Sequence, residues 1–184
     1  MGEPIHVPLL DLSQQNQPLS AELKETFARV LDSSQFILGP EVEAFEQLIA
    51  ADVGARHAIG VSSGTDALLL SLMALGIGPG DEVLCPSFTF FATAGSVSRV
   101  GATPVFVDSL DDDFNLDLED AARRITDKTR AIIPVHLFGQ AADMDAVQRI
   151  ANAHGLKVLE DAAQSMGTQF AEKKAGTMGD LCAF

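Results

Sequence analysis

At 184 residues, 47% of them apolar, the chain can bury the core of one ordinary domain. Its net charge of −14, with 12 Lys plus Arg, is the wrong sign for a protein that must neutralise nucleic-acid phosphates. No apolar run reaches the length a bilayer demands, and Met1 to Leu10 lacks a basic start followed by an apolar core.

Two cysteines, Cys85 and Cys182, make no disulfide framework, so reduced thiols and a cytoplasmic location are expected. Ile5 to Leu10 reads as an extended arm. Ser20 is a good N-cap, and Ala21 to Leu31 then reads as a helix with Leu23, Phe27, Val30 and Leu31 on one face. Phe36 to Gly39 breaks it, and Pro40 opens a second amphipathic helix. His57 to Val61 reads as a strand. Ser62 to Asp66 then turns into a helix over Ala67 to Leu75, apolar nearly all round and therefore expected to be buried.

From there the pattern alternates. Strands are predicted at Glu82–Cys85, Thr103–Val107, Ala131–Val135 and Lys157–Glu160, with helices at Thr89–Val100, Leu118–Ile125 and Met144–His154. Such alternation argues for an α/β fold with a mostly parallel sheet flanked by helices. After Gln164 the chain is Gly-rich, with Lys173-Lys174 as a hairpin tip, and Asp180 to Phe184 begins a further strand. That strand has no following element, so the sequence is expected to be truncated. Asp108, Asp111, Asp112, Asp113 and Asp117 lack the EF-hand spacing and read as a solvated loop. His6, His57, His136 and His154 are too scattered to suggest a metal site.

Three strand ends carry possible chemistry. Ser62-Ser63-Gly64-Thr65-Asp66 precedes a helix, where free amides and the positive helix end favour an anion. The same residues also serve as plain helix caps. Phe88, Phe90 and Phe91 follow the Glu82–Cys85 strand and offer a flat face to a planar ligand, or else simply core. Asp161 and Gln164 follow the Lys157–Glu160 strand, at the sheet end where α/β ligands sit. A carboxylate there either caps a helix or keeps a ring nitrogen protonated. Phosphate, planar ring and cationic ring nitrogen together describe pyridoxal 5'-phosphate.

The stretches Val7–Leu12, Ser63–Leu68, Pro86–Phe90, Ile133–Gly139 and Glu160–Gln164 occur in that order. Together they resemble the pyridoxal-phosphate-dependent nucleotide-sugar aminotransferases of the DegT/DnrJ type. The resemblance implies a fold type I transferase: a large α/β domain, a smaller C-terminal domain, and homodimers with shared active sites. Residues 1–184 would be part of the large domain, an N-terminal arm over about 1–55 and an α/β core over about 56–184, with the C-terminal domain absent. Carried over by position, the amides of Gly64, Thr65 and Asp66 would hold the cofactor phosphate, and Phe90 would stack on its ring. Asp161 would pair with the ring nitrogen and Gln164 with the ring hydroxyl. The implied reaction moves an amino group, usually from glutamate, to a keto group of a nucleotide-linked sugar.

The family's Schiff-base lysine follows the strand that begins here with Gly179-Asp180, which places it beyond Phe184. Lys157, Lys173 and Lys174 do not occupy its position, so the chain alone is expected to be inactive. Two other readings stand beside this one. One is a non-catalytic ligand-binding or regulatory protein on the same fold. The other is a nucleotide-binding α/β protein in which Asp161 and Gln164 are ordinary caps.

Overall fold

A computed structural model describes residues 7–184. Met1 to His6 lie outside the described residues, and with them the start of the expected arm and His6 of the scattered histidines. From Val7 to Leu12 the chain is exposed and forms no helix or strand. Two compact units are present, one ending at Phe45 and one spanning Glu46–Phe184.

In the first unit, α1 runs over Ser13–Ser33 and so begins well before the predicted Ser20 cap. Ser20 lies inside the helix. The start is tied down instead by Asp11, whose Oδ1 accepts from the Ser13 amide at 2.9 Å. Pro18 removes one bond from the ladder, which a helix of 21 residues tolerates. Nothing in α1 is buried, and Leu23, Phe27 and Leu31 all lie exposed. Helix α2 (Pro40–Val53), whose residues from Glu46 on belong to the second unit, opens at Pro40, as predicted. The turn before it needs Gly39, because a Cβ there would come within 2.6 Å of the Gln35 carbonyl oxygen.

In the second unit the elements follow as α3 (Gly64–Ala74), β1 (Glu82–Pro86), α4 (Ala92–Arg99), β2 (Thr103–Val107), α5 (Leu118–Arg124) and β3 (Thr129–Ile132). Then come a 3-10 turn at Leu137–Gly139, α6 (Met144–His154), β4 (Lys157–Asp161), β5 (Gln169–Phe170), β6 (Lys173–Lys174) and β7 (Leu181–Ala183). The main sheet is five-stranded and wholly parallel, in the order β2-β1-β3-β4-β7. Parallel strands are buried on both faces, and the sequence supplies apolar pairs for that. Leu84, Ile132 and Val158 pack with α5 and α6 on one side. Val83, Ile133 and Leu159 pack with α3 and α4 on the other.

Several expectations need correction. His57–Val61 forms no strand, and Ile59 is 81% exposed. A strand needs a neighbour for its backbone groups; here the Gly60 amide donates to the Glu46 carboxylate instead, at 2.7 Å. Helix α3 is not buried all round: Leu68 and Leu72 are, but Leu70 and Met73 are exposed. Lys173-Lys174 is not the hairpin tip but its second strand. Ala171, at a left-handed φ of 53°, makes the turn. Among the described residues no helix is long and apolar enough to cross a membrane.

Candidate functional site

At the carboxyl end of the sheet, a cavity of about 300 Å³ opens between α3, the β1–α4 connection and the ends of β3 and β4. Gly64, Thr65, Phe90, Asp161 and Gln164 all line it. Asp66 does not.

The helix entrance is built by Ser63, an N-cap whose hydroxyl accepts from the Asp66 amide at 3.1 Å. The Ser63 carbonyl takes the Ala67 amide at 2.9 Å. The Gly64 and Thr65 amides are left without a partner among the described residues, at the positive end of α3 and on the cavity wall. The Asp66 carboxylate faces Ser62 and Arg99, and the Ser62 hydroxyl holds its pKa below the usual value.

The three phenylalanines divide. Phe88 packs against Phe114 with ring centroids 5.6 Å apart. The Phe91 ring lies on Gly95, where a Cβ would sit 2.7 Å from its Cε1. Only Phe90 of the three lines the cavity, with 73% of its surface exposed.

Strand β4 places Asp161 on the cavity floor, 6% exposed. Its Oδ2 accepts from the fully buried Thr93 hydroxyl at 2.8 Å. Among the described residues its Oδ1 has only a long contact, 3.4 Å, from the Ala163 amide. Burial pushes the Asp161 pKa up, against those hydrogen bonds. No helix follows: the residues after Asp161 form turns, so neither Asp161 nor Gln164 caps one. The Gln164 Oε1 accepts from the Phe138 amide at 3.1 Å, which leaves its NH2 for the cavity. Phe138 and Gly139, at φ 54° and 87°, make the left-handed turn that presents that amide.

Behind the floor sits a group that sequence reasoning passed over. The Glu160 carboxylate, fully buried, accepts from the Gly176, Met178 and Gly179 amides at 3.1, 2.8 and 2.7 Å. His136, also fully buried, meets it through Nε2 at 3.0 Å. Because His136 Nδ1 accepts from the Ala142 amide, the hydrogen-bond network assigns the ring proton to Nε2, which donates to Glu160. Burial pulls the Glu160 pKa upward, but the bonds from His136 and the three amides outweigh it, so the carboxyl sits below its usual value. A carboxylate inside an apolar strand was the available signal, since such a charge must be paired. Thr93 gave no such signal.

Among the described residues no lysine lines the cavity. Lys157 pairs with Asp180 at 2.7 Å, and Lys174 with Asp52. Cys85 is buried, with its thiol pushed up to about 12 by burial. Strand β7 ends beside the helix entrance: the Phe184 carbonyl oxygen lies 3.4 Å from where a Gly64 Cβ would be.

An all-parallel sheet with its cavity at the strand ends, a helix N-terminus on one wall and a buried carboxylate on the floor defines an α/β ligand-binding fold. Comparison narrows it: residues 17–184 match the DegT/DnrJ/EryC1/StrS aminotransferase family, and the chain belongs to it. It is 49% identical to a pleiotropic regulatory protein of Geobacillus stearothermophilus, over 98% of this chain and 48% of that protein. It is 48% identical to a dTDP-3-amino-3,4,6-trideoxy-alpha-D-glucose transaminase of Streptomyces venezuelae, over 100% of this chain and 48% of that protein. The crystal structure of S. venezuelae DesV in complex with a ketimine intermediate superposes with a TM-score of 0.90 at 49% identity, covering 92% of this chain and 46% of DesV. Bacillus subtilis NtdA, solved with bound PMP, superposes at 0.86 with 38% identity, over 90% of this chain and 38% of NtdA. The chain thus spans about half the length of the curated relatives it matches.

Proposed function

We propose that this chain supplies the cofactor-holding part of a pyridoxal-phosphate-dependent aminotransferase that acts on a keto group of a nucleotide-linked sugar. The observation that carries the reading is one cavity with unpartnered helix amides on its wall, Phe90 at its side and the open Oδ1 of Asp161 on its floor. The family and the PMP- and PLP-bound neighbours support pyridoxal phosphate as the cofactor.

The donor set suits that group. Gly64 and Thr65 would bind the phosphate, while the Asp66 amide serves the Ser63 cap. Phe90 would cover one ring face. Asp161 would hold a proton on the ring nitrogen, and the Gln164 NH2 would donate to the ring hydroxyl. When bound, pyridoxal phosphate supplies the electron sink for amino transfer. The chain's own residues bind and orient it. The Schiff-base lysine on this reading lies beyond Phe184, so residues 1–184 alone do not transaminate. Glutamate as donor, a homodimer and a cytoplasmic location complete the proposal.

A non-catalytic, regulatory role on the same fold is a second reading, favoured by the name of the G. stearothermophilus relative. Both are tested on the full-length gene product. The first expects pyridoxal phosphate binding that Asp161→Asn weakens about 10- to 100-fold, the size of one charge-assisted bond. It also expects amino transfer from glutamate to a nucleotide-linked keto-sugar. Equal affinity in Asp161→Asn would sink the proposed site. Binding without transfer across a panel of such sugars would favour the regulatory reading.

A further inference from the structure

We infer that Thr93 is a positioning residue for the cavity carboxylate: its hydroxyl fixes which oxygen of Asp161 faces a ligand and turns Thr89 into a hydrogen-bond acceptor. This rests on the reading in which Asp161 pairs with a cationic ring nitrogen.

Thr93 sits in the first turn of α4, fully buried, and donates to Asp161 Oδ2 at 2.8 Å. Its Oγ1 lies 3.2 Å from the Thr89 Oγ1. The directions of these bonds follow from proton counting. An ionised carboxylate only accepts, so the single Thr93 proton goes to Asp161. The bond between the two threonines must then be donated by Thr89. Thr89 lines the cavity with its proton already engaged, so it shows lone pairs there. A ligand group that meets Thr89 must be a donor.

The same chain selects one oxygen of Asp161. Oδ2 is held by Thr93, and Oδ1, with only the 3.4 Å contact from Ala163, is the oxygen left for a ligand. Among the forces on this carboxyl, burial raises its pKa, and the Thr93 bond is the largest that lowers it. The other titratable groups around it are His136 from the loop after β3, Cys182 on β7 and Glu160 on its own strand. Loss of the Thr93 proton leaves burial less opposed. Asp161 then needs a higher pH to ionise, and ring-nitrogen pairing fails earlier on the acid side.

The test uses the full-length gene product, freed of cofactor, as wild type, Thr93→Val, Thr93→Ser and Asp161→Asn. Equilibrium dialysis with pyridoxal phosphate across a pH series reads affinity, and thermal unfolding without cofactor reads stability. Thr93→Val is expected to bind about tenfold more weakly at neutral pH, the size of one buried hydrogen bond. Its acid-side loss of affinity should also move to higher pH, and Thr93→Ser should restore both. Should Thr93→Val not fold, Thr93→Cys, with a weaker donor, reads the same pH displacement at smaller amplitude. A wild-type pH profile in Thr93→Val beside a weakened Asp161→Asn overturns the role of Thr93 alone. A uniform loss at every pH that tracks the melting temperature makes Thr93 merely a packing residue and overturns it too. An unaffected Asp161→Asn overturns the reading underneath.

Discussion

Glu160 and Asp161 are neighbours on β4, and their carboxylates face opposite sides of one sheet. Both are buried, yet their surroundings differ in kind. Glu160 is enclosed by donors from two distant segments, the imidazole of His136 and the amides of Gly176, Met178 and Gly179. Asp161 has one strong donor, Thr93, and an oxygen turned to the cavity. The pKa directions follow: Glu160 is lowered because its donors outweigh burial, and Asp161 is raised because burial outweighs its donors. A buried carboxylate with every oxygen bonded holds the fold together. One left half-bonded beside a cavity is held ready for a ligand.

Of the two carboxylates, Glu160 is expected to matter more to stability. Glu160→Ala orphans the donors that surround it, each at about 1–3 kcal/mol when buried, so stability should fall by roughly 3 kcal/mol or more in urea unfolding. A loss below about 1 kcal/mol would mean the donors find water instead. Next comes Gly179, where a Cβ would stand 2.8 Å from the Val158 carbonyl oxygen and 3.2 Å from the Glu160 Cγ. Gly179→Ala must push the loop off β4 and should cost about 1–3 kcal/mol in the same assay.

Asp161→Asn sharpens the contrast through pH. A carboxyl raised on folding binds protons more tightly in the native state, so it lowers stability as pH rises from the ordinary 3.8 through the folded value. Removing it should make the cofactor-free variant gain on wild type across that window, as read from urea midpoints against pH. Glu160, lowered on folding, contributes in the opposite sense: its stabilisation is present above 4.5 and is lost as pH falls through its folded value. A flat difference between wild type and Asp161→Asn would contradict the assignment of a raised pKa. The smallest effect is at the far end of the strand. Lys157 and Asp180 are 53% and 34% exposed, so Lys157→Ala should cost no more than about 1 kcal/mol, less at high salt. Pyridoxal phosphate affinity should be unchanged by it.

The chain's local patterns made much of this legible. Alternating apolar runs and helical periods located β1, β2, β4 and α6 closely, since the strands of a helix-covered parallel sheet are rich in apolar residues. Asp161 stood out because a carboxylate ends an apolar strand, and Gly64 and Thr65 because they open a helix. His57–Val61 was misread for the same reason: an apolar run does not say whether a neighbour exists to pair with it. Ser20 reads as a good N-cap and so puts the start of α1 too late, while Asp11 anchors the true start at Ser13.

The amino-acid order by itself determined the parallel α/β frame and the strand end at which a charged group had to sit, because periodicity and burial act over a few residues. Only the tertiary structure decided what each buried group bonds to. Thr93 reaches Asp161 across 68 residues of sequence, and His136 reaches Glu160 across 24. Of the three phenylalanines after β1, packing on Phe114 and Gly95 left one for the cavity. Hydrogen-bond satisfaction depends on distance and direction in space, and neither is written in local sequence.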